Sequence, residues 1–357
     1  MIKLNLAIIG QGRSWRDIHG AYYLSESNEF YNVKYVVEAC DQRREESKER
    51  YKGCEVLTSY TELFDKSDID LVVNATYSEM HYSITKDLLN HGFNVLVEKP
   101  FTRNRFEAND LIKTANDKGL VLAVFQQTFY APYYVKAKEN IKSGILGKIE
   151  QISIRFNGLA RRWDWQTLQK KMAGNAYNTG PHPIGMAFGF LDFDESAKLV
   201  YSRLDKTPLS SGDAEDYVKM LICGNEGPLC DIEINSTDAY SDYNIKIQGT
   251  KGTLKATPAK YMMKYIVDGE NEEKKVIEDS LRDENFMPIY CRENLITHTV
   301  EEEFKGDAFD VGTSTLYKEL YYKITEGRQM YITPEKVKMI VGATEALHAQ
   351  NPLPRKF

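Results

Sequence analysis

Lys3-Leu4-Asn5-Leu6-Ala7-Ile8-Ile9-Gly10-Gln11-Gly12 decides the fold. Residues 3–9 read as a short strand that turns at once at Gly10-Gln11-Gly12 and leads into a helix. Glycine is useful at such a turn because the chain must reverse tightly and bring its N–H groups close to a pyrophosphate, which a helix N-terminus also favours. Gly10, Gln11, Gly12, Arg13 and Ser14 are therefore the first candidates for holding a dinucleotide. Alone the turn is a weak signal, since an ordinary strand–helix turn reads the same way. Trp15 also stands where glycine or alanine usually permits close helix–strand packing.

Outward from this turn, strand-like runs at 33–40, 70–75, 94–97 and 121–125 alternate with helical segments at 43–51, 79–91 and 104–118. Gly92 and Gly119 sit just past two of those segments, where a helix end favours a left-handed residue. Strands apolar on both faces and separated by helices predict a doubly wound parallel sheet. Asp41, after the second strand, can accept the two ribose hydroxyls of an adenosine and repel a 2′-phosphate; an N-cap role for the next helix is compatible with that. Arg43 and Arg44 follow it and could neutralise such a phosphate, but as first-turn helix residues they are expected to be solvated, so NAD is preferred over NADP.

Beyond a helical stretch at 131–143 the texture changes. Runs at 148–158, 198–204, 216–223, 229–236, 243–248 and 253–256 predict strands in succession, hence a largely antiparallel sheet, with Thr250-Lys251-Gly252 as one of its turns. Helical patterns at 309–325 and 334–349 close the chain, the second with Thr333 as N-cap and Pro334 at its first position. The expected organisation is α/β followed by α+β: a Rossmann domain over 1–125, then a substrate-binding and oligomerisation domain over 126–357 whose C-terminal helix packs back toward the first.

Composition narrows the function classes. Apolar residues make up 42% and charged residues 27% of 357, the usage of an ordinary globular protein. With 46 basic and 52 acidic side chains the net charge is −6, which disfavours nucleic acid as a main partner. No apolar run is long enough to span a membrane, and residues 1–9 are too short for a signal peptide. Cys40, Cys54, Cys223, Cys230 and Cys291 are odd in number and form no CxxC pair, so neither a disulfide framework nor a metal site is expected and a reducing cytoplasm is the expected setting.

Glu98-Lys99-Pro100 directly follows the run at 94–97, which places a lysine at the carboxyl end of a parallel strand, where such sheets bind ligands. With this tripeptide the sequence resembles the Gfo/Idh/MocA family of oxidoreductases, named for glucose–fructose oxidoreductase and inositol dehydrogenase, over nearly its whole length. Ala75-Thr76-Tyr77-Ser78-Glu79-Met80-His81 is similar to the family's A-T-P-N-x-x-H, with tyrosine for proline and serine for asparagine. Phe125-Gln126-Gln127-Thr128-Phe129-Tyr130-Ala131-Pro132 is similar to F-Q-N-R-R-F-x-P, and Phe129 replaces a frequent arginine. Ser143-Gly144-Ile145-Leu146-Gly147 and Gly249-Thr250-Lys251-Gly252-Thr253-Leu254 match two further segments. Asn178-Thr179-Gly180-Pro181-His182 falls on the family's D-x-G-x-H, with Asn178 in place of the aspartate and Gly185 in place of a common acid.

The resemblance implies a dehydrogenase with Lys99 and His182 beside a nicotinamide, and Asn178 as the altered third member of the catalytic group. It further implies that Thr76, Tyr77, His81, Glu98, Lys99 and Gln127 help to bind the cofactor. An imidazole such as His182 can accept a hydroxyl proton near neutral pH, and the Lys99 ammonium can stabilise the developing alkoxide. Asn178, one turn before His182 if the segment is helical, could orient the ring or the substrate.

Arg161-Arg162-Trp163-Asp164-Trp165-Gln166 supplies substrate-binding candidates in Arg161, Trp163 and Trp165, with Asn178 beside them. Tryptophans can stack on sugar C–H faces while arginine, aspartate and glutamine read hydroxyls or a carboxylate. The equally weighted alternative makes the tryptophans core anchors on one face of a strand and the arginines solvated. The expected function is NAD(H)-dependent hydride transfer at a hydroxyl or keto carbon of a sugar, sugar derivative or cyclitol. Two alternatives stand beside it: a redox-neutral enzyme that keeps its NAD and oxidises a glycoside transiently to permit elimination, and an inactive NAD-sensing regulatory protein. An antiparallel sheet with one uncovered face needs a partner, so a homo-oligomer is expected, and the resemblance implies a homodimer or homotetramer.

Overall fold

The computed structural model describes residues 2–357. Its first sheet joins β1 (Leu4–Ile9), β2 (Tyr31–Val37), β3 (Glu55–Leu57), β4 (Leu71–Asn74), β5 (Val95–Val97) and β6 (Leu122–Val124), all parallel, in the order β3-β2-β1-β4-β5-β6. The direction of the strand order reverses between β1 and β4, so their carboxyl ends open the crevice in which doubly wound sheets bind ligands. Leu6, Ala7, Ile8, Val72, Val73 and Leu96 are fully buried, as the unbroken apolar runs require. Helices α1 (Gly20–Leu24), α2 (Asp41–Arg50), α3 (His81–Asn90) and α4 (Arg105–Lys118) connect the strands. Asn104 caps α4 by accepting from the Glu107 N–H, and Gly119 ends it with φ +65°.

Trp15 is the feature that alters this frame. Between the glycine turn and α1 the chain makes a widened turn over Trp15–His19. The buried indole lies between Tyr23 and Tyr51, with ring centroids 5.5 and 5.4 Å away. A side chain of that size holds the helix off the strand where glycine would let it close, and the extra backbone per turn accommodates it.

Helix α5 (Pro132–Lys142) leads to the second sheet. It comprises β7 (Ile149–Arg155), β8 (Lys198–Asp205), β9 (Tyr217–Cys223), β10 (Leu229–Asn235), β11 (Ile245–Gly249), β12 (Gly252–Ala256), β13 (Lys260–Tyr265) and β14 (His298–Glu303), ordered β14-β13-β12-β11-β7-β10-β9-β8. Every pair is antiparallel except β7 with β10. Strict alternation sends Ile152, Ile154, Met220, Ile232 and Ile247 inward, while Arg155, Lys219, Asp231 and Glu233 form a charge ladder on the other face. Helices α6 (Asn175–Asn178) and α7 (Pro181–Phe190) lie on the apolar side.

Two C-terminal helices tie the sheets together. In α8 (Ala308–Glu326), Tyr317 stacks on Tyr22 at 4.7 Å and its carbonyl accepts from the Tyr31 hydroxyl. Helix α9 (Pro334–Gln350) starts at Thr333, whose hydroxyl accepts from the Lys336 N–H, and packs on α4, α7, β6 and β8. Among the described residues no helix is long and apolar enough to cross a membrane, and the five cysteines are unpaired.

Several segments differ from the sequence expectation. The second strand stops at Val37 rather than reaching Cys40, because Glu38 turns its carboxylate onto backbone N–H groups. Strand β3 is only three residues long, and β13 and β14 carry lysines and glutamates among their apolar positions, so none of the three was legible as a strand. Between β13 and β14 residues 266–297 form an irregular excursion that leaves Val276, Phe286 and Tyr290 largely exposed.

Candidate active site

Gly10 adopts φ +94°, and a Cβ there would come within 2.6 Å of the Ala75 carbonyl oxygen, so only glycine fits. At Gly12 the reverse holds: a Cβ would meet no atom within 4 Å, which leaves open space above the turn for a ligand. The Gln11 N–H donates to Glu38 Oε2 (2.7 Å) and the Cys40 N–H to Glu38 Oε1 (2.8 Å). Glu38 thus locks the turn from below. The Asp41 carboxylate opens α2, with Cys40 rather than Asp41 as its N-cap, and its side chain is 92% exposed and paired with Arg44. Arg43 lies 3.8 Å from Glu38.

Lys99 follows β5. Its ammonium donates to the Asn178 carbonyl at 2.8 Å, and burial, together with the Arg162 and Arg13 cations, lowers its pKa. Glu98 is buried. One of its oxygens pairs with His19 Nε2 (2.8 Å), the other accepts from the Lys99 N–H (2.9 Å), and His19 Nδ1 meets the Tyr317 hydroxyl at 2.7 Å. Burial alone would raise Glu98, but the hydrogen bond to His19 and the neighbouring Lys99 ammonium hold it well below the usual carboxylate range.

His182 sits in the first turn of α7, where Nδ1 meets Thr128 Oγ1 at 3.2 Å. Burial and the Lys99 ammonium push its pKa down to about 3, so the ring is neutral at physiological pH. Asn178 is not one helical turn below it: α6 ends at Asn178 and the chain breaks at Thr179-Gly180 before α7 starts. The Asn178 amide donates to the Gln166 carbonyl (3.0 Å), so its side chain orients neither the ring of His182 nor Lys99; its main-chain carbonyl holds Lys99 instead.

The remaining candidates separate into those near the cleft and those that support it. Thr76 bonds Asn74 Oδ1 (2.7 Å), and buried His81 spans the carbonyls of Pro100 (2.7 Å) and Thr76 (3.2 Å), tying the β4 and β5 ends together. The half-exposed Tyr77 ring meets Trp165 edge-on at 5.0 Å, with the Lys171 ammonium 5.1 Å above it. Gln127 is buried, and its Oε1 has no partner among the described residues. Arg161 lines a cavity of about 350 Å³ with Arg162, Gln166, Asn157, Thr179 and Glu215. Neither tryptophan lines it. Trp163 is 77% exposed because residues 159–164 are an irregular loop tied by single bridges to Thr237 and Ser210, not the strand that the i, i+2 spacing suggested.

Residues 4–126 match the family model described as oxidoreductase family, NAD-binding Rossmann fold, and residues 138–350 match that of its C-terminal α/β domain. The chain belongs to the Gfo/Idh/MocA oxidoreductase family. An uncharacterized oxidoreductase of Schizosaccharomyces pombe, C26H5.09c, is 30% identical over 268 residues, 71% of this chain and 70% of its own. The scyllo-inositol 2-dehydrogenase (NADP(+)) IolW of Bacillus subtilis is 26% identical over 183 residues, 51% and 50% of the two chains. The crystal structure of KijD10, a 3-ketoreductase from Actinomadura kijaniata in complex with NADP and TDP-benzene, superposes with a TM-score of 0.78 at 17% identity, covering 98% of each chain.

For a Gfo/Idh/MocA protein the sequence reading missed three supports: Glu38 beneath the glycine turn, His19 behind Glu98, and Thr128 beside His182. Glu38 alone left a trace, as an acid among the apolar residues that end the run at 33–40.

Proposed function

We propose that this oxidoreductase transfers hydride between NAD and a hydroxyl or keto carbon of a sugar, sugar derivative or cyclitol. The observation that carries the reading is the convergence of Lys99, from the end of β5, with neutral His182, from the start of α7, beside the open glycine turn. Gly10, Gly12, Arg13 and Ser14 would hold the pyrophosphate, and Asp41 the adenosine ribose. NAD is preferred because both neighbouring arginines already face acids, Arg43 facing Glu38 and Arg44 facing Asp41. When bound, the nicotinamide supplies the hydride acceptor.

The chain's own residues handle the proton. With a proton on Nδ1 donated to Thr128, His182 presents the lone pair of Nε2 to the substrate hydroxyl and takes its proton. Lys99 spends one N–H on the Asn178 carbonyl and has two left for the substrate oxygen, where they stabilise the alkoxide until the carbon loses its hydride and the C=O bond forms. The reverse sequence reduces a ketone. A homodimer or homotetramer joined through the uncovered face of the second sheet, working in the cytoplasm, completes the reading. The test is a screen of NAD⁺ reduction over sugars, uronic acids, glycosides and cyclitols. Stoichiometric NADH formation with at least one class supports the reading. Turnover without net NADH would favour transient oxidation, and cofactor binding with no turnover a sensor.

A further inference from the structure

The 350 Å³ cavity beside the Lys99–His182 pair falls in the range of about 300–1,000 Å³ usual for small-molecule sites, and its charges are unevenly answered. Of the acids on its wall, Asp216 is committed: it accepts from the Thr207 N–H (2.7 Å) and hydroxyl (2.6 Å). Glu215 accepts from the Ala176 N–H (3.0 Å) on one oxygen, while the other has no hydrogen-bond donor among the described residues and faces His348 Nε2 at 3.5 Å. The arginines are not committed. Arg161 makes no ion pair or side-chain hydrogen bond among the described residues, and Arg162 has only a loose approach of 3.8 Å to Asp164. The Arg162 backbone is fixed, since its N–H donates to the Leu209 carbonyl (3.0 Å) and its carbonyl accepts from the Ser211 N–H (3.0 Å). Burial is the main cause that lowers the Lys99 pKa; the Glu98 carboxylate opposes it and the Arg162 cation adds to it. Within the same wall Asn157 Oδ1 is buried without a donor, while its Nδ2 is held by Glu233 and Asp238 (both 3.0 Å).

We infer that the natural substrate is a sugar acid, whose carboxylate is received by Arg161 and Arg162 while a ring hydroxyl faces Lys99 and His182. This rests on the oxidoreductase reading of the same site and narrows its substrate class. A guanidinium matches a carboxylate through two parallel N–H···O bonds, which a neutral sugar does not offer. A phosphate ester fits the guanidinium too, but its second negative charge would stand against Glu215 and Asp216 across the same cavity.

Calorimetric titration of the NADH-saturated enzyme with D-glucuronate, D-glucuronamide and D-glucose 6-phosphate separates the cases, with D-galacturonate and its amide as a second ring geometry. The expected result is that one uronate binds at least about tenfold tighter than its amide and tighter than the phosphate. Arg161→Ala should bring acid and amide to within about threefold of each other, and Arg161→Lys should keep part of the difference, because a point charge remains without the fork. Equal binding of acid and amide, tighter binding of the phosphate, no saturable binding of either uronate, or an acid preference unchanged in Arg161→Ala would each overturn the inference. Binding is read apart from turnover. Tight uronate binding with no hydride transfer to NAD⁺ would defeat the oxidoreductase reading and leave the carboxylate site standing; oxidation of neutral sugars alone would do the opposite.

Discussion

The Lys99 ammonium reaches across from the Rossmann sheet and donates to the main-chain carbonyl of Asn178 at 2.8 Å. It uses no side-chain atom of Asn178, whose amide is turned to the Gln166 carbonyl. The altered family position therefore acts on the lysine through backbone that any residue would supply.

From this follows the first prediction. Asn178→Ala should keep kcat within a few-fold of wild type, whereas Lys99→Ala should lose on the order of 10²-fold or more, the cost of removing one donor to a developing oxyanion. NADH affinity, measured by fluorescence titration, should hardly change in Asn178→Ala. A loss in Asn178→Ala as large as in Lys99→Ala would show that the amide itself takes part.

His182 carries the second. His182→Ala should lose about 10²- to 10⁴-fold in kcat. Thr128→Val removes the partner of Nδ1, and Thr128→Ser should restore most of what it loses. Burial and Lys99 push His182 down to about 3, so in the free enzyme the base is already unprotonated across the neutral range. The profile of kcat/KM should then show no acid limb near 6.5 and should decline on the alkaline side below 10.5, where the lowered Lys99 loses its proton. An acid limb at 6.5 that disappears in His182→Ala would place the ring in water.

Glu38 has a separate signature. Its two oxygens accept from Gln11 and Cys40 N–H groups, so Glu38→Ala leaves both donors unanswered and should destabilise the fold by about 1–3 kcal/mol in urea unfolding. The same change should weaken NADH binding, since the turn it braces is the one with space above Gly12. Unchanged affinity would separate the brace from the cofactor site.

How much of this was legible follows from what each residue does. The strands β1, β4, β5 and β6 are almost wholly buried on both faces, and that pattern survives in sequence because burial demands it. The spacing of Gly10 and Gly12, and the positions of Lys99 and His182, were readable through motif. The partners were not. His19 bonds Glu98 across 79 residues, and Thr128 meets His182 across 54, and neither pairing leaves a local trace. Trp163 was misleading because its i, i+2 relation to Trp165 mimics a strand face in what is a loop.

Cofactor choice gives the fourth prediction. With Arg43 and Arg44 engaged by Glu38 and Asp41, kcat/KM should favour NAD⁺ over NADP⁺. Asp41→Ser should narrow or invert that ratio by removing the repulsion and freeing Arg44 for a 2′-phosphate. Higher kcat/KM with NADP⁺ in the wild type would mean that the arginines outweigh the acids.

The last prediction concerns assembly. The excursion over 266–297 exposes Val276 (92%), Phe286 (78%) and Tyr290 (85%), more apolar surface than a short surface segment usually leaves in water. It leaves the second sheet at the β13–β14 edge, so a second copy that meets that edge would also cover the excursion. Light scattering should return a multiple of the 41.0 kDa chain at micromolar concentration. The double substitution Phe286→Asp and Tyr290→Asp should lower that mass while NADH binding, which uses the other sheet, persists. A wild-type mass of one chain, or a double variant that assembles unchanged, would free the excursion from any role in holding copies together.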